Sequence, residues 1–174
     1  MNPIDPALLP ASVLLDSNVA LRGFGAYPDD KRSPICVAFV EACIRNQKLL
    51  LIAAPTLAEI LRGGNTRAIP RVDSVEIVEF GPIEARLLGE DFPQETLSRL
   101  ADQEGVSLTY YKYDALIVAC AKANKVNCFV SYDRKAKTLA ATVGIRVAEP
   151  AEFIAKQGTL PLPEAQAPRQ LPRS

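Results

Sequence analysis

The chain contains no histidine among its 174 residues, and this absence restricts its chemistry more than any residue present. Without imidazole there is no Ser-His-Asp or Cys-His nucleophile, no His-ligated zinc and no imidazole acid-base catalysis. Carboxylates, hydroxyls, lysine or a hard metal ion are what remain. Closely spaced cysteines are missing too. Cys36 and Cys43 fall on an apolar helical pattern, and Cys120 and Cys128 flank a helix-to-strand connection. Neither pair has the spacing of a zinc ribbon or a redox CxxC, so the four read as buried free thiols. No apolar run approaches bilayer length; the longest, such as "KLLLIAAP" at 48–55, are far too short. The opening "MNPIDPALLP" has no basic segment and contains prolines, unlike a secretory signal, and a cytoplasmic protein is expected. Net charge is missing as well, with 20 basic residues against 20 acidic ones, so no global basic field points to nucleic acid. Two local basic groups stand out: Arg62, Arg67 and Arg71 in "RGGNTRAIPR", and Arg134, Lys135 and Lys137 just past Asp133. Either group alone reads as solvated surface charge.

What is present is a regular alternation of elements. The hydrophobic fraction of 48% and charged fraction of 23% suit a soluble globular chain, and the length suits one domain. "SVLLD", "KLLLIAA", "SVEIVEF", "NCFVSYD" and "IRVAEP" read as strands. Between them, "SPICVAFVEACIRNQ" reads as a helix capped by Ser33 with Pro34 in its first turn. "PTLAEILRG" reads as a short helix, 82–104 as helical with a break at Pro93, and "YYKYDALIVACAKANKV" and "RKAKTLAATVG" as helices. "AEFIAKQ" closes the domain as a helical turn. Strands separated by helices imply a parallel sheet covered on both faces. The predicted fold is a three-layer α/β/α sandwich with a central five-stranded parallel sheet in the order 3-2-1-4-5. The domain spans 1–157, and the proline-rich, aperiodic 158–174 is predicted to be a flexible tail.

In such sheets ligands bind at the carboxyl ends of the strands, where the strand order reverses. Here the reversal lies between the first strand, which ends on Asp16, and the fourth, which ends on Asp133. Glu59 follows the second strand, and Asp114 is placed at the start of the helix leading into the fourth. Taken singly, Asp114 and Asp133 are explained as helix caps, Glu59 as a solvent-facing helical acid, and Asp16 equally as cap or ligand. Taken together, four carboxylates at one end of a sheet repel one another unless a cation sits among them. Hard oxygen ligands select Mg²⁺ or Mn²⁺, and with no histidine the fitting reaction is metal-assisted phosphodiester hydrolysis.

The blocks "LLDSNV", "PTLAEILRG" and "YDALIVACAKANKVNCFVSYD", in this order, resemble the PIN domain, in particular the VapC-type toxin ribonucleases of bacterial toxin–antitoxin pairs. The resemblance covers roughly 12–155. It implies an acidic set at Asp16, Glu59, Asp114 and Asp133, with small polar accessory positions at Asn18 and Ser131. It also implies a Mg²⁺- or Mn²⁺-dependent endoribonuclease leaving a 5′-phosphate and a 3′-hydroxyl, a homodimer, and an antitoxin whose C-terminal segment covers the site. One departure stands out: many members carry a further acid two residues past the last one, where this chain has Lys135. That substitution weakens the case for a second metal.

The resulting expectation is that Asp16, Asp114 and Asp133 hold the metal while Glu59 orients the attacking water. Asn18 and Ser131 hydrogen-bond carboxylates or water. Arg62, Arg67, Lys112 and Arg134 are the candidates for drawing in the RNA backbone. Tyr110, Tyr111, Tyr113 and Tyr132 are candidate base-stacking rings, with core packing the better account of at least two. Two rivals stand beside this reading. A haloacid-dehalogenase-like phosphatase would use Asp16 as nucleophile, but that pattern wants a second Asp where this chain has Asn18. A PIN-like fold kept as a non-catalytic binding module would leave the carboxylates structural, and Lys135 is its best argument.

Overall fold

A computed structural model of the chain describes residues 3–62 and 69–155. The segment 63–68, with Arg67, and the tail from 156 onward lie outside the described residues, so the expectations for both concern parts not described here.

Five strands form one parallel sheet in the order β3-β2-β1-β4-β5. They are β1 (Ser12–Leu15), β2 (Leu49–Ala53), β3 (Val75–Val78), β4 (Cys128–Val130) and β5 (Val147–Ala148). The helices are α1 (Ser17–Gly23), α2 (Ser33–Arg45), α3 (Ala54–Arg62), α4 (Pro82–Asp91), α5 (Gln94–Glu104), α6 (Leu108–Ala123) and α7 (Arg134–Thr142). The predicted strand order is the one observed. The continuous apolar runs of β1 and β2 have their explanation in a sheet buried on both faces. Val13 and Leu15 turn to one face, with Val19, Phe39 and Ile60 from α1, α2 and α3. Leu14 turns to the other, with Leu97, Tyr111, Val118 and Leu139 from α5, α6 and α7. Val13, Leu14 and Leu15 have no exposed surface, and each such side chain contributes about 2 kcal/mol by leaving water.

Several local details position the site. The break at Pro93 falls between α4 and α5, and Gly105 ends α5 in the left-handed region with φ 64°. Gly23, where α1 meets α2, has no room for a side chain: a Cβ there would lie 2.6 Å from Val40 Cγ2. The chain ends of the domain are tied together, since Ile4 bridges Ile154 and Asp5 N–H donates to the Phe153 carbonyl at 2.8 Å. The closing turn predicted at "AEFIAKQ" is a 3₁₀ helix, Pro150–Phe153.

Two expectations are corrected. Ser33 is not the cap of α2: it is the first helical residue, Arg32 precedes it, and its hydroxyl donates to the Tyr27 carbonyl. Asp114 does not open its helix. The helix begins six residues earlier, capped by Ser107, whose Oγ accepts from Thr109 N–H at 3.3 Å. The run "SLTYYK" continued the helix without the proline or charge pattern that marks a start. The cap explanation for Asp114 therefore fails, which matters below.

Candidate active site

Asp16 follows the last residue of β1, its backbone N–H still bonded to the Val130 carbonyl of β4 at 3.0 Å. The rigid strand pair aims its carboxylate at the carboxyl end of the sheet. It is also the N-cap of α1, since Oδ1 accepts from Ser17 N–H at 2.7 Å. Of the two explanations weighed for this residue, the cap is the one observed. Oδ2 accepts from Asn18 Nδ2 at 2.6 Å and from the hydroxyl of Ser131, at the end of β4. Asn18 Oδ1 accepts from Tyr132 N–H at 3.1 Å, and Ser131 Oγ accepts from Asp133 N–H at 2.8 Å. Asn18 and Ser131 thus brace Asp16 and link the ends of β1 and β4.

Asp133 caps α7, with Oδ1 accepting from Lys135 N–H at 2.7 Å and Ala136 N–H at 3.4 Å. Glu59 is half-buried on α3. Asp114 lies in the second turn of α6, and its Oδ2 is fully enclosed and accepts no hydrogen bond. An enclosed, unbonded carboxylate oxygen is costly, and native proteins keep few without a reason.

The electrostatics agree with this crowding. Burial pushes the Asp16 carboxyl up to about 6, against the Ser131 and Ser17 hydrogen bonds that favour the charged form; Asp133 and Glu59 raise it further. Burial likewise pushes Asp114 up to about 7, with Asp16 and Asp133 adding to the rise and the Lys135 ammonium opposing it. The structure therefore brings Asp16, Glu59, Asp114 and Asp133 into one field of mutual repulsion. Among the described residues, no three acidic or thiol side chains are already gathered tightly enough to hold a metal ion. The acids form an open cluster, of which Asp133 and Glu59 are partly exposed. The donor set fits a hard divalent ion: oxygens only, one of them orphaned and two reluctant to ionise.

Beside the acids lies an open cleft of about 610 Å³ lined by Ser17, Asn18, Leu21, Arg22, Tyr27, Glu59 and Arg62. Arg62 is exposed there. Arg22 and Tyr27 were missed by sequence reasoning. Arg22 is held by Asp30 at 2.9 Å and by the Asn18 carbonyl at 2.6 Å. Its sequence signal was weak, because a lone arginine in a helix reads as surface charge. Arg134 is exposed and pairs with Glu104 at 3.0 Å. Lys112 is placed elsewhere. It lies two residues before Asp114, more than half a helical turn round α6, and lines an apolar groove with Leu88, Phe92 and Leu97. That groove has a similar volume, about 610 Å³, but holds none of the four acids.

Of the four tyrosines, Tyr111 is fully buried in the core and Tyr113 donates to the Pro55 carbonyl at 2.7 Å. Tyr132 packs against the α1–α2 side of the core and carries Arg32 over its ring at 4.5 Å. Tyr110 is exposed. All four cysteines are buried and free, with burial pushing Cys43 and Cys120 up to about 12 and Cys128 to about 11. They are inert packing thiols.

The sheet order and the helices on both faces define a PIN-like α/β/α fold. Among solved structures the chain is similar to a chain of VapBC2 from Rickettsia felis, whose crystal structure is bound to a DNA fragment from their promoter. The TM-score is 0.54 at 19% identity, covering 79% of this chain and 98% of that one, a likeness that establishes the fold. No protein-family model matches the sequence, and no curated protein matches it either.

Proposed function

We propose that the protein is a Mg²⁺- or Mn²⁺-dependent endoribonuclease working in the cytoplasm as the toxin of a toxin–antitoxin pair. The single observation that carries this reading is the enclosed, unbonded Oδ2 of Asp114 facing a field of further carboxylates. One oxygen of this half-buried helix acid is shut away from solvent and reaches no donor among the described residues.

Asp16, Asp114 and Asp133 would hold the ion. When bound, it polarises a phosphoryl oxygen, neutralises developing charge and eases deprotonation of water. The protein's own residues do the rest. Asn18 and Ser131 fix the rotamer of Asp16 by donating to Oδ2. Glu59, on the wall of the cleft, orients the attacking water and accepts its proton. Arg22 and Arg62 line the same cleft and would carry the phosphates flanking the scissile bond. A homodimer and an antitoxin partner belong to the same proposal, the antitoxin partner being supported by the likeness in fold to a chain of VapBC2.

The phosphatase reading is disfavoured by Asp16 itself. It is only 4% exposed, and its Oδ2 accepts from Asn18, which stands where that pattern wants a second, proton-donating Asp. The test is cleavage of structured RNA by purified protein with Mn²⁺ or Mg²⁺. Expected are 5′-phosphate products, arrest by EDTA, and a loss of about a hundredfold or more in Asp16→Asn. Metal-dependent cleavage undiminished in that variant would remove the assigned site. Binding to RNA or a partner with no cleavage would leave the non-catalytic module standing.

A further inference from the structure

Lys135 occupies an unusual place for a lysine on the first turn of a surface helix. Its side chain is only 23% exposed, and its Nζ lies 3.8 Å from Asp133 Oδ2. That distance is at the outer limit of an ion pair, so the ammonium is not committed to a single carboxylate. The same ammonium acts on Asp114 across the cluster, against the carboxylates around it. On its other side it lies over the Tyr110 ring, 5.6 Å from the centroid, where the ring quadrupole favours a cation. The helix adds a reason for the position. A lysine in the first turn faces the positive end of the helix dipole, an unfavourable place unless acids outweigh it. Here Asp133 caps the helix, and Asp114 faces it from α6.

We propose that Lys135 is a tethered cation of the acid cluster: it supplies the counter-charge in ion-free protein and limits the site to one divalent ion. The inference rests on the nuclease reading for the ion, and for the counter-charge on the placement of Lys135 beside Asp133 and over Tyr110. Lys135 acts as a positioning residue. It offsets the charge of Asp133 and Asp114 before an ion arrives, and its ammonium then excludes a second dication from the Asp133 side by like-charge repulsion.

Two measurements on the full chain test this. In the first, ion-stripped protein is titrated with Mn²⁺ and free ion is followed by electron paramagnetic resonance. Wild type should bind one ion per chain. Lys135→Met, which keeps the stem and removes the charge, should bind that ion about tenfold more tightly, the size expected for removing one partly screened repulsion. Lys135→Glu should bind two. In the second, thermal unfolding is followed in EDTA at pH 8. Lys135→Met should melt several degrees below wild type, and in an Asp114→Asn background that deficit should shrink. Wild type binding two ions, or Lys135→Met matching wild type in both Mn²⁺ affinity and EDTA melting, would overturn the proposal while RNA cleavage left the nuclease reading intact. A wild-type protein that binds no Mn²⁺ and cleaves nothing would overturn both.

Discussion

β1 and β4 lie side by side at the centre of the sheet, and polar side chains stitch them together at both ends. At the amino end, Ser12 and Asn127 bond reciprocally. Ser12 N–H and Oγ–H both donate to Asn127 Oδ1 at 3.0 Å, and Asn127 N–H donates to Ser12 Oγ at 3.0 Å. At the carboxyl end, Asp16, Asn18, Ser131 and the Tyr132 and Asp133 amides make a network of similar size. The first is neutral, exposed and closed on itself. The second is buried, carries charge, and borders an acid whose Oδ2 no donor reaches. A seam that only had to hold two strands would look alike at its two ends. The surplus charge at one end is a cost to folding, which is the mark of a place kept for something other than stability.

The most severe way to break that contrast is to neutralise the orphaned acid. Asp114→Asn should reduce RNA cleavage by about a hundredfold or more. The same change should raise the stability of ion-free protein at pH 8 by on the order of 2 kcal/mol, because it removes a buried charge that burial and neighbours disfavour. Opposite signs for activity and stability, read by cleavage assay and chemical denaturation in EDTA, distinguish a functional acid from a structural one. Loss of both together would mean that Asp114 is part of the scaffold.

A milder route is pH. Asp16 and Asp114 have folded-state values of about 6 and about 7, above the ordinary carboxylate value of 3.8. Between those limits the native state holds more protons than the unfolded chain, so unfolding free energy falls as pH rises. Ion-free protein should be most stable near pH 4 as regards these two groups, lose stability up to about pH 7, and level off above. Saturating Mn²⁺ at pH 7.5 should restore what was lost. Denaturation curves with and without Mn²⁺ at pH 5 and pH 7.5 check both halves, and an ion-free stability that rises over this range from these acids would refute the assignment.

Ser131→Ala addresses the braced half of the same end. It removes a charge-assisted donor from Asp16 and the acceptor of Asp133 N–H, at a cost of about 1.5–3 kcal/mol at pH 8. The cost should shrink at pH 5, where Asp16 is largely neutral, and Ser131→Thr should recover most of it. A penalty independent of pH would show that Ser131 serves packing instead of the carboxylate.

Most of this arrangement was legible in the sequence because each strand announces itself by an unbroken apolar run, and parallel topology then dictates where the runs end. "VLLD" and "FVSYD" placed Asp16 and Asp133 at the point where the strand order reverses. Asn18 and Ser131 were named only through the resemblance to the PIN domain. Asp114 was placed in the right helix but at the wrong depth, because the turns before it are made of tyrosines and threonine that suit a helix without marking its start. Lys135 and Arg22 were the hardest to read. Each is a long charged side chain on a helix, and whether it points to water or folds inward depends on what another segment presents. For Lys135 that is Tyr110 and Asp114 of α6, and for Arg22 it is Asp30 in the loop that follows α1. No local pattern carries that information.

The gentlest test leaves the charged end untouched and cuts the other. Asn127→Ala removes the acceptor for Ser12 N–H and Oγ–H, both at an exposed position where water can replace it. The net contribution of neutral, solvent-accessible hydrogen bonds is small, so the expected loss is about 1 kcal/mol, the same at pH 5 and pH 8. Asn127 is four residues before Ser131 along β4, and the rigid strand between them is held on both sides by β1 and β5. Mn²⁺ affinity and cleavage rate should therefore match wild type. If Asn127→Ala weakened Mn²⁺ binding as much as Ser131→Ala, the two ends would be coupled through the strands, and the division of the seam into a structural end and a functional end would fail.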